Sequence, residues 1–435
     1  MQGTVSVSSL APAHLGGPTD PSHDDDLRRG IIRTEISRGV ARVVVGVFLF
    51  AIASVPLSQS YLEKLAEEDS PLLDLFRRPP TAENLHQLEH DIEVASYAKT
   101  YVQPRLQGWL TRFGRVGNKR ATIGHDGWLY YTPGVQHVAG PGFLQRDLQS
   151  SRRKASLDAG DGAVEPDPLP AIFDFQRALA ARGIRLVLFP VPDKAALQPA
   201  QLHGRGEPSA VTDNPDTAAF IAQVRQRGVV VFDARVAVPA APRAPVFLVQ
   251  DTHYTPAWME QLAFALAQVV VQLGVLPPPA APAVLQAAPQ TATRVGDLVD
   301  MLKLLDDQRQ FSPRTVTVHQ VQDAQGNPWE SDPAADVLLL GDSFTNIFTL
   351  EGMGWGAAAG LGPQLSRALG RPLDVIAQND SGAFATRQAL ARELAAGNDR
   401  LAGKRVVIWQ FASRELSNGD WKRLEWPRPI AGAGR

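Results

Sequence analysis

The sequence predicts an α/β fold in which a mostly parallel sheet is covered by helices on both faces. Apolar runs such as 184–191 and 337–340 have the composition of strands buried on both sides, and segments with helical spacing alternate with them. A further apolar stretch, at 39–57, is long enough to cross a membrane. The predicted architecture is therefore one transmembrane helix followed by an α/β domain.

Size and composition limit the possible functions. The chain has 435 residues, enough for one large or two ordinary domains, and its hydrophobic fraction of 44% is that of a globular protein. A formal net charge of −2 argues against nucleic acid as a partner, because phosphate binding needs a basic excess. The sequence has no cysteine, which excludes disulfides, thiolate metal sites and cysteine nucleophiles.

Residues 1–38 are predicted to form a disordered cytoplasmic tail, and residues 39–57 a transmembrane signal-anchor. The tail is rich in Gly, Ser, Pro and Asp, and the 19 residues that follow contain Arg42 as their only charge. Arginines precede the apolar core and acidic residues follow it, so the positive-inside rule places the rest of the chain outside the cytoplasm. Two alternatives stay open here: a cleaved signal peptide, with Ala51-Ile52-Ala53 as its cleavage site, and a buried core helix.

The exported part begins with a helical linker region at 58–120, where Leu85, Leu88 and Ile92 have amphipathic spacing. A catalytic domain is predicted at 121–425 and a flexible C-terminal tail at 426–435. The other expected elements are a β-like passage at 121–131, a charged loop at 147–168, a Pro/Ala-rich connection at 277–293, helices at 169–182, 217–227, 258–273, 363–369 and 386–396, and strands at 184–191, 229–233, 337–340, 373–377 and 406–411.

Three polar segments follow apolar stretches of this domain. Gly341-Asp342-Ser343-Phe344 and Asn379-Asp380-Ser381-Gly382 each leave a predicted strand. Asp251-Thr252-His253-Tyr254 follows the apolar residues 246–249, which can form a strand as well. Because sites in open α/β sheets form at the carboxyl ends of strands, the three segments are expected to meet along one edge of the sheet.

These segments supply a serine nucleophile, a base and an acid. Ser343 needs a neighbouring base in order to attack, and its place just after a strand exposes the hydroxyl. His253 is the candidate base, and Asp251 can hold its second ring nitrogen where the chain turns. The non-catalytic alternatives are an ordinary Gly-Asp-Ser turn and a structural histidine that caps the next helix. No metal site is predicted, because neither HExxH nor a second histidine at ligand spacing accompanies His253.

Other residues are candidates for oxyanion or substrate contacts. The side-chain amide of Asn379 and the backbone N–H of Gly382 could complete an oxyanion hole, although a polar loop is the simpler interpretation. Lys194 and Arg414 could bind an acidic or hydroxylated substrate, but solvated surface charges are the default for isolated cations. Tyr254 could offer a stacking face to a sugar ring, although aromatics in such runs are more often in the core.

Taken in order, the motifs resemble those of the SGNH-hydrolase-like O-acetyltransferases of bacterial exopolysaccharide export, the AlgJ/AlgX type (the alginate O-acetyltransferase family). The resemblance covers about residues 80–425. Its motifs are Gly124-His125-Asp126-Gly127-Trp128-Leu129-Tyr130, Pro190-Val191-Pro192-Asp193-Lys194, Asp251-Thr252-His253-Tyr254-Thr255, Gly296-Asp297-Leu298, Gly341-Asp342-Ser343-Phe344 and Trp409-Gln410-Phe411-Ala412-Ser413-Arg414. Ordinary SGNH esterases place the serine block before the Asp/His block, whereas here the Asp/His pair comes first, as in this acetyltransferase group.

The resemblance implies that Ser343 is acetylated, that His253 is its base and that Asp251 orients the base. It also implies an SGNH-like sheet, no cofactor, a polysaccharide acceptor such as alginate or another exopolysaccharide, and an acetyl donor partner, a membrane-bound O-acyltransferase. No carbohydrate-binding module is visible after the catalytic region. This favours the membrane-anchored AlgJ-like form, with a single pass through the bacterial inner membrane and the catalytic domain in the periplasm. Tyr254 departs from the tryptophan that is usual there, which bears on a substrate contact.

Two other functions remain open from the sequence. The same residues would serve a carbohydrate acetylesterase if water, rather than a sugar, accepted the acetyl group. A non-catalytic protein that binds polysaccharide or scaffolds an export complex would be favoured if Ser343, His253 and Asp251 lay beyond hydrogen-bonding distance of one another.

Overall fold

The computed structural model describes residues 37–160, 162–204, 211–238, 245–278 and 284–427. The chain divides into two compact units, Met1–Thr100 and Tyr101–Arg435. Most of the predicted amino-terminal tail and the end of the predicted C-terminal tail lie outside the described residues.

The first unit contains the predicted transmembrane segment as a helix, α1 (Arg38–Leu65), with Ser37 as its N-cap. Mean hydropathy over its most apolar 18-residue window is 2.3, and none of that window is buried. The alternative of a buried core helix is therefore wrong, while an anchor and a signal sequence both fit a helix of this length. Two further helices follow, α2 (Asp74–Arg77) and α3 (Ala82–Ala95).

The second unit holds the catalytic candidates. Its helices are α4 (Gln103–Trp109), α5 (Thr132–Ala139), α6 (Arg146–Asp158), α7 (Pro168–Ala180), α8 (Lys194–Leu197), α9 (Pro199–His203), α10 (Thr217–Gln226), α11 (Pro256–Gln272), α12 (Asp297–Met301), α13 (Ser343–Asn346), α14 (Leu361–Leu369), α15 (Ala385–Ala395) and α16 (Glu415–Asn418). Its strands are β1 (Ala121–Ile123), β2 (Leu129–Tyr131), β3 (Arg185–Val191), β4 (Val230–Val231), β5 (Gln286–Arg294), β6 (Arg314–Gln322), β7 (Val337–Gly341), β8 (Asp374–Ala377) and β9 (Val406–Ala412). Short 3₁₀ turns lie at Pro71–Leu73, Ala234–Ala237 and Glu351–Met353, and π-helical turns at Ala98–Val102 and Leu110–Gly114.

Within the described residues, the central sheet has five strands in the order β4-β3-β9-β7-β8, and all of its neighbours are parallel. Alternate side chains of β7 enter different cores. Val337 and Leu339 belong to one hydrophobic cluster, and Leu338 and Leu340 belong to another on the opposite face. The predicted parallel sheet with both faces covered is confirmed, and burial on both faces explains why its strands are continuously apolar.

Three predicted local structures differ from the structure. The segment expected to be a charged loop contains the helix α6, and the second half of the expected Pro/Ala-rich connection is the strand β5. β5 pairs with β6 as an antiparallel hairpin separate from the central sheet. The apolar residues 246–249 do not form a strand of the sheet; an isolated bridge joins Phe247 to Tyr254.

Candidate active site

The serine turn begins where β7 ends. Ser343 is the first residue of the one-turn helix α13, and the side chain of Asp342 caps that helix by accepting the Phe344 N–H at 2.9 Å. A Cβ at Gly341 would lie 2.0 Å from Thr345 Oγ1, so only glycine allows the strand to turn this tightly. The turn presents the half-buried Ser343 at the carboxyl end of the sheet.

The carboxylate of Asp342 fixes this turn to the central strand β9. It accepts hydrogen bonds from Gln410 Nε2 at 2.7 Å and from the Ala412 N–H at 2.7 Å. Gln410 Oε1 in return accepts from the Asp342 N–H at 3.1 Å and from Thr345 Oγ1 at 2.7 Å. Because these groups are buried, each bond replaces a contact with water that the fold has removed.

The acid and the base lie on a short bridged loop that precedes α11. The Leu248 N–H donates to the His253 carbonyl at 3.0 Å, and the Thr255 N–H donates to the Val246 carbonyl at 2.9 Å. Thr255 then caps α11, whose first residue is a proline. The loop therefore turns back on itself, which brings the side chains of residues 251 and 253 together.

The three predicted catalytic side chains form one continuous hydrogen-bonded chain. His253 Nε2 lies 2.8 Å from Ser343 Oγ, and His253 Nδ1 lies 2.7 Å from Asp251 Oδ1. An ionised carboxylate can only accept, so the Nδ1 position carries a proton and Nε2 is left free to accept the proton of Ser343. This is the arrangement in which an imidazole acts as a general base toward serine.

Asp251 is held in its ionised form by four donors. Its Oδ1 accepts from the ring and the backbone of His253, and its Oδ2 accepts from Trp355 Nε1 at 2.9 Å and from the Asp297 N–H at 3.0 Å. Burial alone would raise the pKa of Asp251, but the bond and charge of His253 and these donors lower the pKa below its usual value. Trp355 was not predicted, because no spacing in the sequence relates a tryptophan to a loop 104 residues away.

Asp297 is a second carboxylate beside the base. Its Oδ2 lies 3.9 Å from His253 Nδ1, and its Oδ1 accepts the Thr252 N–H at 2.7 Å. Burial and the charge of Asp251 raise the pKa of Asp297 to about 6. Burial opposes the charged form of His253, but the bond and charge of Asp251, with the charge of Asp297, raise the pKa of His253 above its usual value. The Gly-Asp-Leu motif had marked Asp297 without assigning it a role.

Asp251, His253 and Asp297 also meet the distance requirement for a metal site, since their ligand atoms lie within 4.8 Å of one another. The hydrogen bonds already account for these atoms, however. His253 Nδ1 is bonded directly to Asp251 Oδ1, and both oxygens of Asp251 accept N–H groups. The donor set therefore fits a proton-sharing pair better than a cation between them.

Asn379 and Gly382 lie on the loop that follows β8, the strand next to β7. Asn379 Oδ1 accepts from Asn346 Nδ2 at 2.8 Å, so the amide group of Asn379 remains available as a donor. A Cβ at Gly382 would lie 2.9 Å from Asp342 Cβ, which means that the backbone of Gly382 packs directly against the serine turn. In the described part of the chain the N–H groups of Gly382 and Ser343 have no acceptor.

Lys194 is buried, and the default interpretation as a solvated surface charge is wrong for it. Its ammonium donates to the Leu129 carbonyl at 2.7 Å, and the rings of Trp128 and Tyr130 lie 5.6 Å and 5.4 Å away. Burial lowers the pKa of Lys194 to about 7, against the opposing charges of Asp251 and Asp297. That it binds substrate stays a prediction; its observed contacts are all with the protein.

Arg414 and Tyr254 flank Phe344, the residue after the serine. Arg414 pairs with Asp193 at 3.1 Å, and its guanidinium lies 4.9 Å from the Tyr131 ring and 5.8 Å from the Phe344 ring. Tyr254 is fully buried and its hydroxyl donates to the Phe344 carbonyl, so it supports the serine turn from behind. In this structure Tyr254 exposes no ring face to a sugar.

Comparison with known proteins identifies the family. A family model described as "SGNH hydrolase-like domain, acetyltransferase AlgX" matches residues 121–413, more than half of the chain. The chain belongs to this AlgX family of acetyltransferases. The family predicted from the order of the motifs is thereby confirmed.

Individual relatives of this AlgX-family chain agree. It is 26% identical over 305 residues to the probable alginate O-acetylase AlgJ of Pseudomonas aeruginosa, covering 69% of this chain and 71% of that protein. It is 25% identical over 308 residues to the probable alginate O-acetylase AlgJ of Pseudomonas putida, again covering 69% and 71%. The solved O-acetyltransferase domain of Pseudomonas putida AlgJ superposes with a TM-score of 0.50 at 22% identity, covering 68% of this chain and 92% of that domain, which confirms the SGNH-like fold.

Proposed function

We propose that this acetyltransferase moves acetyl groups through an acetyl-serine at Ser343 onto hydroxyls of an exported, alginate-like polysaccharide. The observation that carries the proposal is the chain of hydrogen bonds from Ser343 through His253 to Asp251, at 2.8 Å and 2.7 Å. Hydrogen-bond contact among all three argues against the scaffold alternative, which needed them to lie apart. The substrate is suggested by the relatives described as alginate O-acetylases.

The first half of the reaction forms the acetyl-serine. His253 Nε2 takes the proton of Ser343 as Oγ attacks the acetyl carbonyl of the donor, and Asp251 stabilises the imidazolium. The negative charge that develops on the carbonyl oxygen needs donors, and the N–H groups of Ser343 and Gly382 with the amide of Asn379 are proposed to supply them. His253 then returns its proton to the departing donor group, leaving the ester on Oγ.

The second half repeats this chemistry with a sugar hydroxyl in place of the serine. His253 removes the hydroxyl proton as the sugar oxygen attacks the ester, and then returns a proton to Ser343 Oγ. Transfer prevails over hydrolysis only if the acceptor is held against the ester while water is disfavoured. Arg414 is proposed to hold the acceptor, because its guanidinium is near Phe344 and, among the residues that the structure describes, forms a hydrogen bond to Asp193 alone. Lys194 is buried, and its positive charge is proposed to stabilise the negative charges of Asp251 and Asp297 instead.

The proposed setting is the bacterial inner membrane, with α1 as a single-pass anchor and the catalytic domain in the periplasm. A membrane-bound O-acyltransferase is the proposed acetyl donor partner. The apolar length of α1 supports the membrane part of this proposal, and the AlgJ relatives support the acetyl chemistry. The predicted catalytic domain at 121–425 stays a proposal for the part that carries the activity.

Intact-mass spectrometry after incubation with p-nitrophenyl acetate tests the mechanism. The wild-type chain should gain one acetyl group on the peptide that contains Ser343, whereas Ser343→Ala and His253→Gln should not. His319→Gln is the matched control, because His319 also pairs with an acid, Glu260 at 2.7 Å, but outside this site. An equal adduct on wild type and Ser343→Ala would contradict the serine mechanism.

The acceptor decides between transferase and esterase. The purified acetyl-enzyme should lose its acetyl group faster when alginate oligosaccharides are added, and the acetyl group should appear on the sugar. Discharge to water alone, at a rate that oligosaccharides do not change, would favour the carbohydrate acetylesterase.

A further inference from the structure

An exposed apolar stripe runs along the first helical segment of the second unit. Val102, Leu106, Trp109 and Phe113 recur at intervals of four, three and four, and Val116 follows them just beyond the last turn. Each of these side chains is between 47% and 66% exposed. Most of the other exposed large apolar residues of this unit lie far from the stripe in the sequence, so a contiguous stripe calls for a specific explanation.

The stripe borders a groove of about 920 Å³ that lies wholly within the second unit. Trp109 and Phe113 form one wall, with their ring centroids 5.7 Å apart, and Leu305 belongs to the opposite wall. Gln310 Nε2 donates to the Gly108 carbonyl at 3.0 Å and ties the two walls together. This hydrogen bond therefore connects the two walls of the groove directly.

The segment that carries the stripe is basic. Between residues 101 and 123 the sequence has no acidic residue, and its five basic residues are Arg105, Arg112, Arg115, Lys119 and Arg120. None of these five forms an ion pair within the described residues; Arg112, for example, lies over the Phe113 ring at 5.5 Å. A helix that combines an apolar stripe, a tryptophan and arginines whose charges are not neutralised by acidic side chains has the composition of an interfacial helix on an anionic bilayer.

We propose that the stripe lies in the headgroup region of the bilayer that α1 enters and holds the catalytic unit on the membrane surface. The aliphatic residues of the stripe favour a lipid surface over a polysaccharide. Sugar rings can stack on Trp109 or Phe113, but binding a sugar does not explain why Val102, Leu106 and Val116 are exposed. The arginines favour an anionic lipid surface over a neutral protein face. The proposal rests on the insertion of α1, and it adds a second point of membrane attachment.

Single-cysteine labelling tests the proposal cleanly, because the natural chain contains no cysteine. Leu106→Cys and Phe113→Cys would each carry an environment-sensitive fluorophore in the full chain, reconstituted in nanodiscs with phosphatidylglycerol and spin-labelled lipid. Both labels should show blue-shifted emission and quenching by the spin label. Leu157→Cys is the matched control, because Leu157 lies on α6 of the same unit and is 54% exposed, and its label should remain in water.

A charge variant separates a lipid surface from other partners. Arg105→Gln combined with Arg112→Gln should weaken attachment roughly tenfold in anionic discs, so that quenching at position 113 falls toward the control level. Acetyl-enzyme formation in detergent should be unchanged, because neither arginine belongs to the catalytic site.

The contrary results are distinct from one another. Equal quenching at positions 106, 113 and 157, or no quenching at any of them, would contradict the proposal that the stripe lies in the bilayer. A label at 113 that responds to alginate oligosaccharides but not to lipid would make the groove a polymer site instead. A chain that does not coelute with discs would contradict both the α1 anchor and the stripe, while its acetyl-enzyme assay would still report on the proposed function.

Discussion

At the scale of single residues, two carboxylates share one base. Asp251 is bonded to His253 Nδ1, and Asp297 lies 3.9 Å from the same atom. Both charges raise the pKa of His253, so the neutral form needed for base catalysis is reached at higher pH than for an ordinary histidine. We therefore expect Asp297 to set part of the pH dependence of activity through His253, without a contact to Ser343.

Replacing Asp297 by asparagine removes one of these charges but keeps an oxygen for the Thr252 N–H. The pKa of His253 should fall, because a charge that favours the imidazolium is gone. The rising limb of kcat/KM against pH should move to lower pH, by roughly one unit. Asp300→Asn is the control, since Asp300 pairs with Arg294 outside the site, and it should leave the limb in place. A limb that moves to higher pH in Asp297→Asn would contradict the role given to Asp297.

The sequence is informative about residues whose neighbours in the chain are also neighbours in space. Asp251 and His253 are two positions apart, so their pairing was predictable from a turn. Lys194 was not predictable in the same way, because its burial depends on Leu129 and on rings from a different segment. The donation from Trp355 to Asp251 crosses 104 positions and has no local pattern.

At the scale of elements, the serine turn depends on two neighbours that no catalytic step uses. Gly341 allows the close approach of Thr345, and Asp342 connects the turn to β9. Each can be substituted while Ser343, His253 and Asp251 are kept. Variants of both residues therefore measure how far the scaffold, rather than the chemistry, determines the rate.

Gly341→Ala should displace the serine turn, because the new Cβ would lie 2.0 Å from Thr345 Oγ1. Catalytic geometry is sensitive to shifts of this size, so acetyl-enzyme formation should slow roughly hundredfold. The matched control is Gly352→Ala, where a Cβ meets no atom within 4 Å. Burst kinetics with p-nitrophenyl acetate would measure both, and an unaffected burst in Gly341→Ala would show that the turn tolerates the displacement.

Asp342→Ala should destabilise the fold as well as the site. Three buried N–H donors, on Phe344, Gln410 and Ala412, would lose their acceptor, which should lower the free energy of unfolding by roughly 3 kcal/mol or more. Asp323→Ala is the control: Asp323 also accepts three N–H groups, but these bonds are exposed to solvent, and water can replace them. Thermal unfolding followed by circular dichroism compares them, and equal melting temperatures would contradict the importance of burial.

Helices and strands were predictable from the sequence where the pattern of apolar residues reflects which faces are buried. The central strands are apolar throughout because both faces are covered, and the sequence predicted them to within a few residues. α6 has a charged sequence, and none of its side chains is buried, so it carries no apolar stripe to indicate a helix. β5 is mostly exposed and contains Pro289, and within the described parts of the chain it pairs with β6 alone, so its sequence looks like a loop.

At the scale of the whole molecule, the fate of α1 decides how the enzyme is held. An uncleaved anchor predicts that protein extracted from membranes retains α1 in its intact mass. The apolar run has only one small-residue motif that resembles a cleavage site, Ala51-Ile52-Ala53, and it lies inside the helix. Amino-terminal sequencing that begins just after Ala53 would contradict the anchor and favour a released enzyme.

We expect the position of β9 to delay assembly of the site until late in the synthesis of the chain. β9 lies between β3 and β7, although its residues are the last of the sheet to be made. It also carries Gln410 and Ala412, the partners that hold the serine turn. Until those residues emerge, β3 and β7 lack the strand that lies between them, and long-range pairing of this kind is slow. A chain that ends before β9 would therefore lack the partners that hold Asp342 beside the nucleophile, and we expect it to form no acetyl-serine.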